Sequence, residues 1–185
     1  MTQANPQDVK ALVTGAKILV IDDEIYTRKV IRTLLLAVGI SKIHEAEDGF
    51  RGLQAVRSLL PDVVICDWEM PCINGPEFVR EVRSPGIFPH PEVPIIMLTA
   101  HGERSRVLEA ARLGVHEFLI KPVSSNALVA RITAVLTTPR PMIRRGNYYG
   151  PEPRKLATYK PDTDSFAPRS IGAVDAPPSS VVFLD

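Results

Sequence analysis

The sequence has few cysteines, and its charges nearly cancel. Only two of its 185 residues are cysteines, Cys66 and Cys72, and their spacing forms no CxxC motif. This usage is typical of a reducing compartment and gives no disulfide framework, and it makes a cysteine metal site a weak interpretation. The 22 basic and 21 acidic side chains leave a formal net charge of +1. That balance offers no global electrostatic case for binding nucleic acid or an acidic membrane surface.

The chain also lacks the segments that direct a protein into or across a membrane. No apolar run approaches the roughly 18 residues that a transmembrane helix needs. The polar N-terminus has no apolar stretch of the kind found in secretory signals. We therefore expect a cytoplasmic protein with no membrane insertion.

What the sequence does contain is a regular alternation of apolar strands and amphipathic helices. Short runs rich in β-branched residues predict buried strands at 17–21, 63–66, 94–100 and 117–120, with a weaker strand at 42–46. Apolar residues at helical spacing predict helices at about 26–38, 49–60, 76–82, 103–113 and 125–136. Five strands alternating with five helices predict an α/β fold, a doubly wound parallel sheet with helices on both faces.

The two ends of the chain differ from this pattern. Residues 1–15 are polar, and we expect a flexible N-terminus before a domain at 16–138. Eight of the 17 prolines lie in residues 139–185, which have few aliphatic side chains and no helical or strand period. Such a segment cannot offset its ordering entropy by burial, so we predict a proline-rich, disordered tail at 139–185.

Polar side chains stand at the carboxyl ends of four predicted strands. Asp22 and Asp23 follow the first strand, Asp67 the third, Thr99 the fourth and Lys121 the fifth. In an open α/β sheet these ends meet at one crevice, where ligands bind. Three carboxylates there would raise one another's pKa unless a cation lay among them, and Mg²⁺ suits oxygen ligands of this kind.

The same residues suit phosphoryl chemistry. A lysine ammonium and a threonine hydroxyl are donors for phosphoryl oxygens, and an aspartate can act as a nucleophile that becomes an acyl phosphate. Taken alone, Asp67 would equally suit a cap for the helix that follows it. Taken with the other strand ends, it indicates a phosphorylatable aspartate.

The spacing of these residues resembles the receiver domain of two-component response regulators, over roughly residues 16–138. The motifs that carry the resemblance are Ile21-Asp22-Asp23-Glu24, Asp67-Trp68-Glu69-Met70-Pro71, Leu98-Thr99-Ala100 and Ile120-Lys121-Pro122. The family implies a flavodoxin-like fold with strand order 2-1-3-4-5. It also implies a signalling switch that accepts a phosphoryl group from a histidine kinase or a histidine phosphotransfer protein. The switch then changes its binding to a downstream protein.

The resemblance implies a role for each matching residue. Asp67 matches the phosphoacceptor, and Thr99 and Lys121 match the hydroxyl and the lysine that meet the phosphoryl group. The residues that match the Mg²⁺ site are Asp22, Asp23, Asp67 and the backbone carbonyl of Glu69.

Further positions match parts of the family that act around the phosphate. Phe118 matches the aromatic switch position that works with Thr99, and Gly75 fits the glycine of the loop after the phosphorylated strand. Glu69 and His101 match the positions that, in this family, flank the phosphate and tune its hydrolysis. Plainer interpretations stay open, because Phe118 also suits a core position and His101 a solvated loop. Trp68, beside Asp67, is expected to be partly exposed.

Other classes of function remain as alternatives. A metal-dependent phosphatase or hydrolase would use an aspartate nucleophile, and Glu69 occupies the place where such enzymes carry a second acid. The adjacent Asp22-Asp23 pair with Thr99 and Lys121 fits a receiver better. A degenerate receiver used as a scaffold is a third interpretation, against which the intact site argues. We predict a receiver that is not an enzyme beyond its own phosphorylation and dephosphorylation, with no DNA-binding output module after residue 136.

Overall fold

A five-stranded parallel sheet in the order β2-β1-β3-β4-β5 forms the centre of the protein. The structure is a computed structural model that describes residues 5–100 and 104–153. The strands are β1 (Ile18–Ile21), β2 (Ile43–Ala46), β3 (Val63–Asp67), β4 (Ile95–Thr99) and β5 (Glu117–Ile120). The predicted doubly wound sheet and its strand order are confirmed.

Six helices lie within the described ranges, one more than the five predicted. They are α1 (Pro6–Gly15), α2 (Ile25–Ala37), α3 (Gly49–Leu59), α4 (Gly75–Val82), α5 (Arg104–Leu113) and α6 (Ser125–Thr137). The additional helix is α1, which lies in the segment that we expected to be flexible. Asn5 caps it by accepting a hydrogen bond from the Gln7 backbone at 3.2 Å, and Val13 buries its apolar face. No helix in the described ranges is both long and apolar enough to span a bilayer.

The three central strands are buried along their whole length. Successive side chains point to opposite faces of a sheet, and here they divide into two apolar clusters. Leu19 and Val64 pack with Phe78 on one face, whereas Ile18 and Ile65 belong to the cluster on the other face. Each fully buried aliphatic side chain contributes roughly 1.5–3 kcal/mol. Burial on both faces explains why the strands read as continuous apolar runs.

The strand register brings the carboxyl ends of the strands to one edge. Ile21 of β1 lies opposite Cys66 of β3, and Thr99 of β4 lies opposite Ile120 of β5. The residues that end or directly follow these strands are therefore neighbours, at the edge where ligands bind in open α/β sheets.

Residues beyond α6 also differ from the prediction, because part of the predicted disordered tail forms a hairpin. Strands β6 (Met142–Arg145) and β7 (Tyr148–Pro151) pair antiparallel. Gly150 approaches the turn after α5 so closely that a Cβ atom on it would lie 2.6 Å from the Gly114 Cα. This burial comes from the domain rather than from the hairpin's own composition, so the proline count did not reveal it. Residues from 154 onward lie outside the described ranges.

Polar contacts fix the hairpin to the domain. Arg140 donates hydrogen bonds to the carbonyls of His116 and Glu152, and the Tyr149 hydroxyl donates to Glu92 at 2.9 Å. Glu92 lies in the loop before β4 and His116 directly precedes β5, so these contacts join the segment after α6 to both places.

A buried arginine lies beneath this junction. Arg83, only 6% exposed, follows α4 and donates to the carbonyls of Gly114 at 2.9 Å and Val93 at 2.9 Å, and to that of Pro91. Burial lowers the pKa of Arg83 to about 10. Carbonyl dipoles thus replace much of the water that the guanidinium gives up on folding.

Candidate functional site

Three carboxylates meet at the carboxyl edge of the sheet. Asp22 follows β1 and is buried, Asp23 next to it is exposed, and Asp67 is the buried last residue of β3. One oxygen from each carboxylate can be chosen so that all three lie within 4.8 Å of one another. A donor set made only of carboxylate oxygens fits a hard divalent cation such as Mg²⁺. The structure therefore brings together the three acids that the sequence assigned to a metal.

Lys121 lies between two of these acids. Its Nζ atom is 2.8 Å from Asp22 Oδ2 and 2.8 Å from Asp67 Oδ1. Burial lowers the pKa of Lys121, but its hydrogen bonds to the two carboxylates outweigh that effect, and the pKa lies above its usual value. Burial raises the pKa of Asp67, and the hydrogen bond and charge of Lys121 offset only part of that rise. The ammonium thus makes it possible to bury two carboxylates side by side.

Both oxygens of Asp67 are held by donors. Oδ1 accepts from Lys121, and Oδ2 accepts a hydrogen bond from the Glu69 backbone at 3.1 Å. The carboxylate therefore has a fixed orientation towards the crevice. A fixed and partly desolvated carboxylate is suited to nucleophilic attack.

The loop after β3 packs tightly at Gly75. The Gly75 amide donates to the Trp68 carbonyl at 3.0 Å. A Cβ atom on Gly75 would overlap the carbonyl oxygen of Asp67 and lie 3.0 Å from both the Trp68 Cα and the Met97 Sδ. Helix α4 begins at this glycine, where Asn74 forms a capping box with the helix. The close approach gives the physical reason for a glycine at this position.

The expectation that Trp68 would be partly exposed is wrong, since the side chain is only 4% exposed. Arg106 of α5 covers it, with the guanidinium carbon 5.0 Å from the centre of the ring. Arg106 Nη2 also lies 3.4 Å from Glu69 Oε1. Sequence patterns did not identify Arg106, because it comes from an element 37 residues away from Glu69.

The remaining site residues lie on β4 and β5. Thr99 is the buried last residue of β4, and its carbonyl accepts a hydrogen bond from the Lys121 backbone at 2.7 Å. Phe118 on β5 is half-buried and packs against the apolar cluster that contains Phe78. Its role as a switch stays a prediction. His101 lies outside the described residues.

Two adjoining cavities open at this edge. The crevice itself has a volume of about 360 Å³ and is lined by Asp22, Asp23, Glu24, Asp67, Trp68, Glu69, Ala100 and Lys121. A second cavity, of about 450 Å³, shares Asp23, Trp68 and Glu69 with the crevice and is also lined by Arg106. The crevice combines oxygen ligands for a cation with an ammonium donor, which suits it to a phosphoryl group accompanied by a divalent metal.

Comparisons with known proteins agree with this geometry. The family model described as the response regulator receiver domain matches residues 18–133. Chemotaxis protein CheY of Pseudomonas aeruginosa is 34% identical over 119 residues, which cover 64% of this chain and 94% of the relative. Chemotaxis protein CheY1 of Helicobacter pylori is 35% identical over 123 residues, covering 66% of this chain and 98% of the relative.

Solved structures are similar as well. The crystal structure of a putative response regulator from Chloroflexus aurantiacus has a TM-score of 0.61 and 30% identity, and the match covers 66% of this chain and 98% of that one. Helix α1 and the hairpin β6–β7 lie outside the residues that the family model matches.

Proposed function

The chain belongs to the response regulator receiver family, and from this we propose that it is a signalling switch controlled by phosphorylation of Asp67. The observation that supports the proposal most is the position of the Asp67 carboxylate. It lies among the two acids that follow β1, and the ammonium of Lys121 is 2.8 Å from its Oδ1 atom. The donor would be a phosphohistidine on a histidine kinase or a histidine phosphotransfer protein.

In the proposed reaction, Asp67 attacks the phosphorus of the phosphohistidine. The bond from a carboxylate oxygen to phosphorus forms as the phosphorus–nitrogen bond breaks, and the imidazole leaves with the bonding electron pair. Lys121 and the Glu69 amide orient the carboxylate before the attack. Lys121 then pairs with the negative charge on the phosphoryl group, which replaces part of its contact with the carboxylate.

Mg²⁺ is the cofactor that fits this site. Asp22, Asp23, Asp67 and the backbone carbonyl of Glu69 would hold it, and bound there it would neutralise charge on the phosphoryl oxygens. Lys121 alone is one positive charge against three clustered carboxylates. A further cation is therefore needed before an anionic donor can enter without strong repulsion.

The output would be a change in binding to a downstream protein. A phosphoryl group adds about −1.5 to −2 charges at neutral pH. Thr99 is the last residue of β4, the strand that pairs with β3, which ends at Asp67. Drawing the Thr99 hydroxyl towards the phosphate would leave space for Phe118 to move, and so alter the surface made by α5, β5 and α6. Two relatives are named as chemotaxis proteins, so a chemotaxis partner is one candidate for the target.

The alternative of a phosphatase has less support. It would require an acid aimed at the substrate two residues after the nucleophile. Glu69 occupies that position, but its carboxylate is 63% exposed and contacts Arg106 at the rim. We therefore favour the receiver, which catalyses at most its own phosphorylation and dephosphorylation.

A labelling experiment tests the assignment of Asp67. The purified full chain is incubated with Mg²⁺ and radiolabelled acetyl phosphate, and separately with a labelled phosphohistidine protein. We expect label on the wild type and none on Asp67→Asn. Asp48→Asn is the matched control, because asparagine caps a helix as well as the aspartate that caps α3. Label retained on a folded Asp67→Asn protein would contradict the proposal.

A further inference from the structure

Arg106 is held at the rim of the phosphoacceptor crevice by two contacts of different kinds. Its guanidinium lies over the Trp68 ring at 5.0 Å and pairs with Glu69 at 3.4 Å. The ring beneath it is buried, so the stacking surface is rigid. Stacking on an aromatic face and pairing with a carboxylate together fix the planar head of an arginine more firmly than either contact does alone.

Acidic side chains outnumber basic ones in the linings of the two adjoining cavities. Five acidic residues are among the described side chains that line the two cavities: Asp22, Asp23, Glu24, Asp67 and Glu69. The basic residues in the same linings are Lys121 and Arg106. Lys121 is already shared between two carboxylates. Arg106 pairs with the exposed carboxylate of Glu69 and lines the cavity that adjoins the crevice. Of the two basic lining residues, it is the one outside the metal and phosphoryl positions.

We propose that Arg106 is a specificity-determining residue for phosphoryl uptake, whose positive charge at the rim favours phosphodonors that carry two negative charges. The inference rests on the proposed function, because it concerns the same transfer to Asp67. Arg106 lies beside the crevice and contacts Trp68 and Glu69, so it acts on the donor's approach and on the charge of Glu69.

The physical basis is the repulsion between an acidic crevice and an anionic donor. Acetyl phosphate is a dianion near neutral pH, whereas phosphoramidate carries a protonated amine and a lower net charge. The effect of a charge at the mouth of a cleft on the association rate grows with the charge of the incoming ligand. Loss of the arginine should therefore slow the dianionic donor more than the other.

The experiment measures the second-order rate constant of Asp67 phosphorylation with each small donor, in the full chain with saturating Mg²⁺. Arg106→Gln should lower the rate with acetyl phosphate about two- to fivefold, the effect of one partly exposed charge. The rate with phosphoramidate should change distinctly less. At an ionic strength of about 1 M the Debye length is roughly 3 Å, so the difference in rate between Arg106→Gln and the wild type should disappear.

Matched variants separate charge from shape. Arg106→Lys keeps the charge and loses the planar stack, so it should retain most of the acetyl phosphate rate while the emission of Trp68 changes. Adding Glu69→Gln to Arg106→Gln removes a negative charge and should restore the rate. Arg112→Gln takes a positive charge from an exposed position near the other end of α5 and should leave both rates unchanged.

The possible results distinguish a failure of the inference about Arg106 from a failure of the proposed function. Equal, salt-independent losses with both donors would show a purely structural role and overturn the inference, as would unchanged rates in Arg106→Gln. Both of these outcomes leave the proposed function intact, because the wild type is still labelled on Asp67. A wild type that takes no label from either donor would overturn the proposed function and this inference with it.

Discussion

The ammonium of Lys121 lies 2.8 Å from the Oδ1 atom of Asp67, so the end of β5 is joined to the end of β3 across the intervening strand β4. The same nitrogen is 2.8 Å from Asp22. One cation therefore compensates two buried acids, and several properties of the metal-free protein follow from this arrangement.

Removal of the ammonium should destabilise the metal-free protein. Lys121→Met leaves Asp22 and Asp67 buried together without their cation. We expect the free energy of unfolding at neutral pH to fall by about 1–3 kcal/mol, measured by urea denaturation. Lys42→Met, which changes an exposed lysine, is the control. An equal stability of Lys121→Met and wild type would show that the ammonium is not needed to bury the carboxylates.

The opposite result is expected for Asp67→Asn without metal. Because burial raises the pKa of Asp67, the folded state binds the proton more tightly than the unfolded state does. The free energy of unfolding of the wild type therefore falls as the pH rises from the ordinary aspartate pKa through the raised pKa of the folded state. Above the raised pKa this loss is complete. Asparagine has no such loss, so the variant should be the more stable protein at neutral pH. Urea denaturation between about pH 4 and 8 should show that the difference in stability between Asp67→Asn and the wild type shrinks as the pH falls. A wild type that is more stable than the variant at neutral pH would refute this.

Mg²⁺ should bind in the millimolar to submillimolar range, as at sites made of few carboxylates and several waters. The chain has one tryptophan, and it is Trp68, buried beside Asp67. Its fluorescence should therefore report metal binding directly. The response should be present in the wild type and much weaker in Asp23→Asn. Identical titrations in the two proteins would remove Asp23 from the metal site.

Acid should destabilise the protein through His116. Burial, together with the charges of Arg83 and Arg140, lowers the pKa of His116 to about 3. Between its ordinary pKa of about 6.5 and this value the folded state binds fewer protons, so stability is lost as the pH falls, by up to about 1.4 kcal/mol per pH unit.

Replacement of His116 tests this dependence. Its Nδ1 atom accepts a hydrogen bond from the Ile95 amide at 3.3 Å, a bond that an asparagine oxygen can also accept. His116→Asn should therefore flatten the stability profile between about pH 4 and 6, whereas His90→Asn should not. A profile that stays steep in His116→Asn would assign the acid sensitivity to other groups.

The switch surface should respond to a phosphoryl mimic. With Mg²⁺ and beryllofluoride, we expect NMR shifts at Phe118 and along α5 and α6 in addition to those near Asp67. The hairpin contacts the turn after α5, so it should restrain this response. Gly150→Ala would force the hairpin away from Gly114 and should enlarge the shifts on α5. Gly15→Ala, whose Cβ meets nothing within 4 Å, is the control. Shifts confined to the loops around Asp67 would rule out the switch surface.

The sheet could be predicted from the sequence because its signals are local. The strands are short apolar runs that a polar residue ends or directly follows, so Asp67 was placed correctly at the end of β3 and Lys121 directly after β5. Trp68 was misjudged because it joins the apolar cluster that contains Phe78 and lies under Arg106, and both of these contacts come from other elements. The hairpin was missed for a similar reason, since Gly114 and His116 supply its contacts. Helix α1 did have a local signal in Asn5 and Pro6, which suit a helix start.

The carbonyl cage around Arg83 has a consequence for the order of folding. Its acceptors come from residues 91, 93 and 114, and they converge only after β5 has paired with β4. Until then the guanidinium must keep its water, because an unpartnered charge is costly to desolvate. We predict that this pairing, and with it the dehydration of the side chain, follows the rate-limiting step of folding. Substitutions at Arg83 are then expected to accelerate unfolding while leaving the folding rate nearly unchanged.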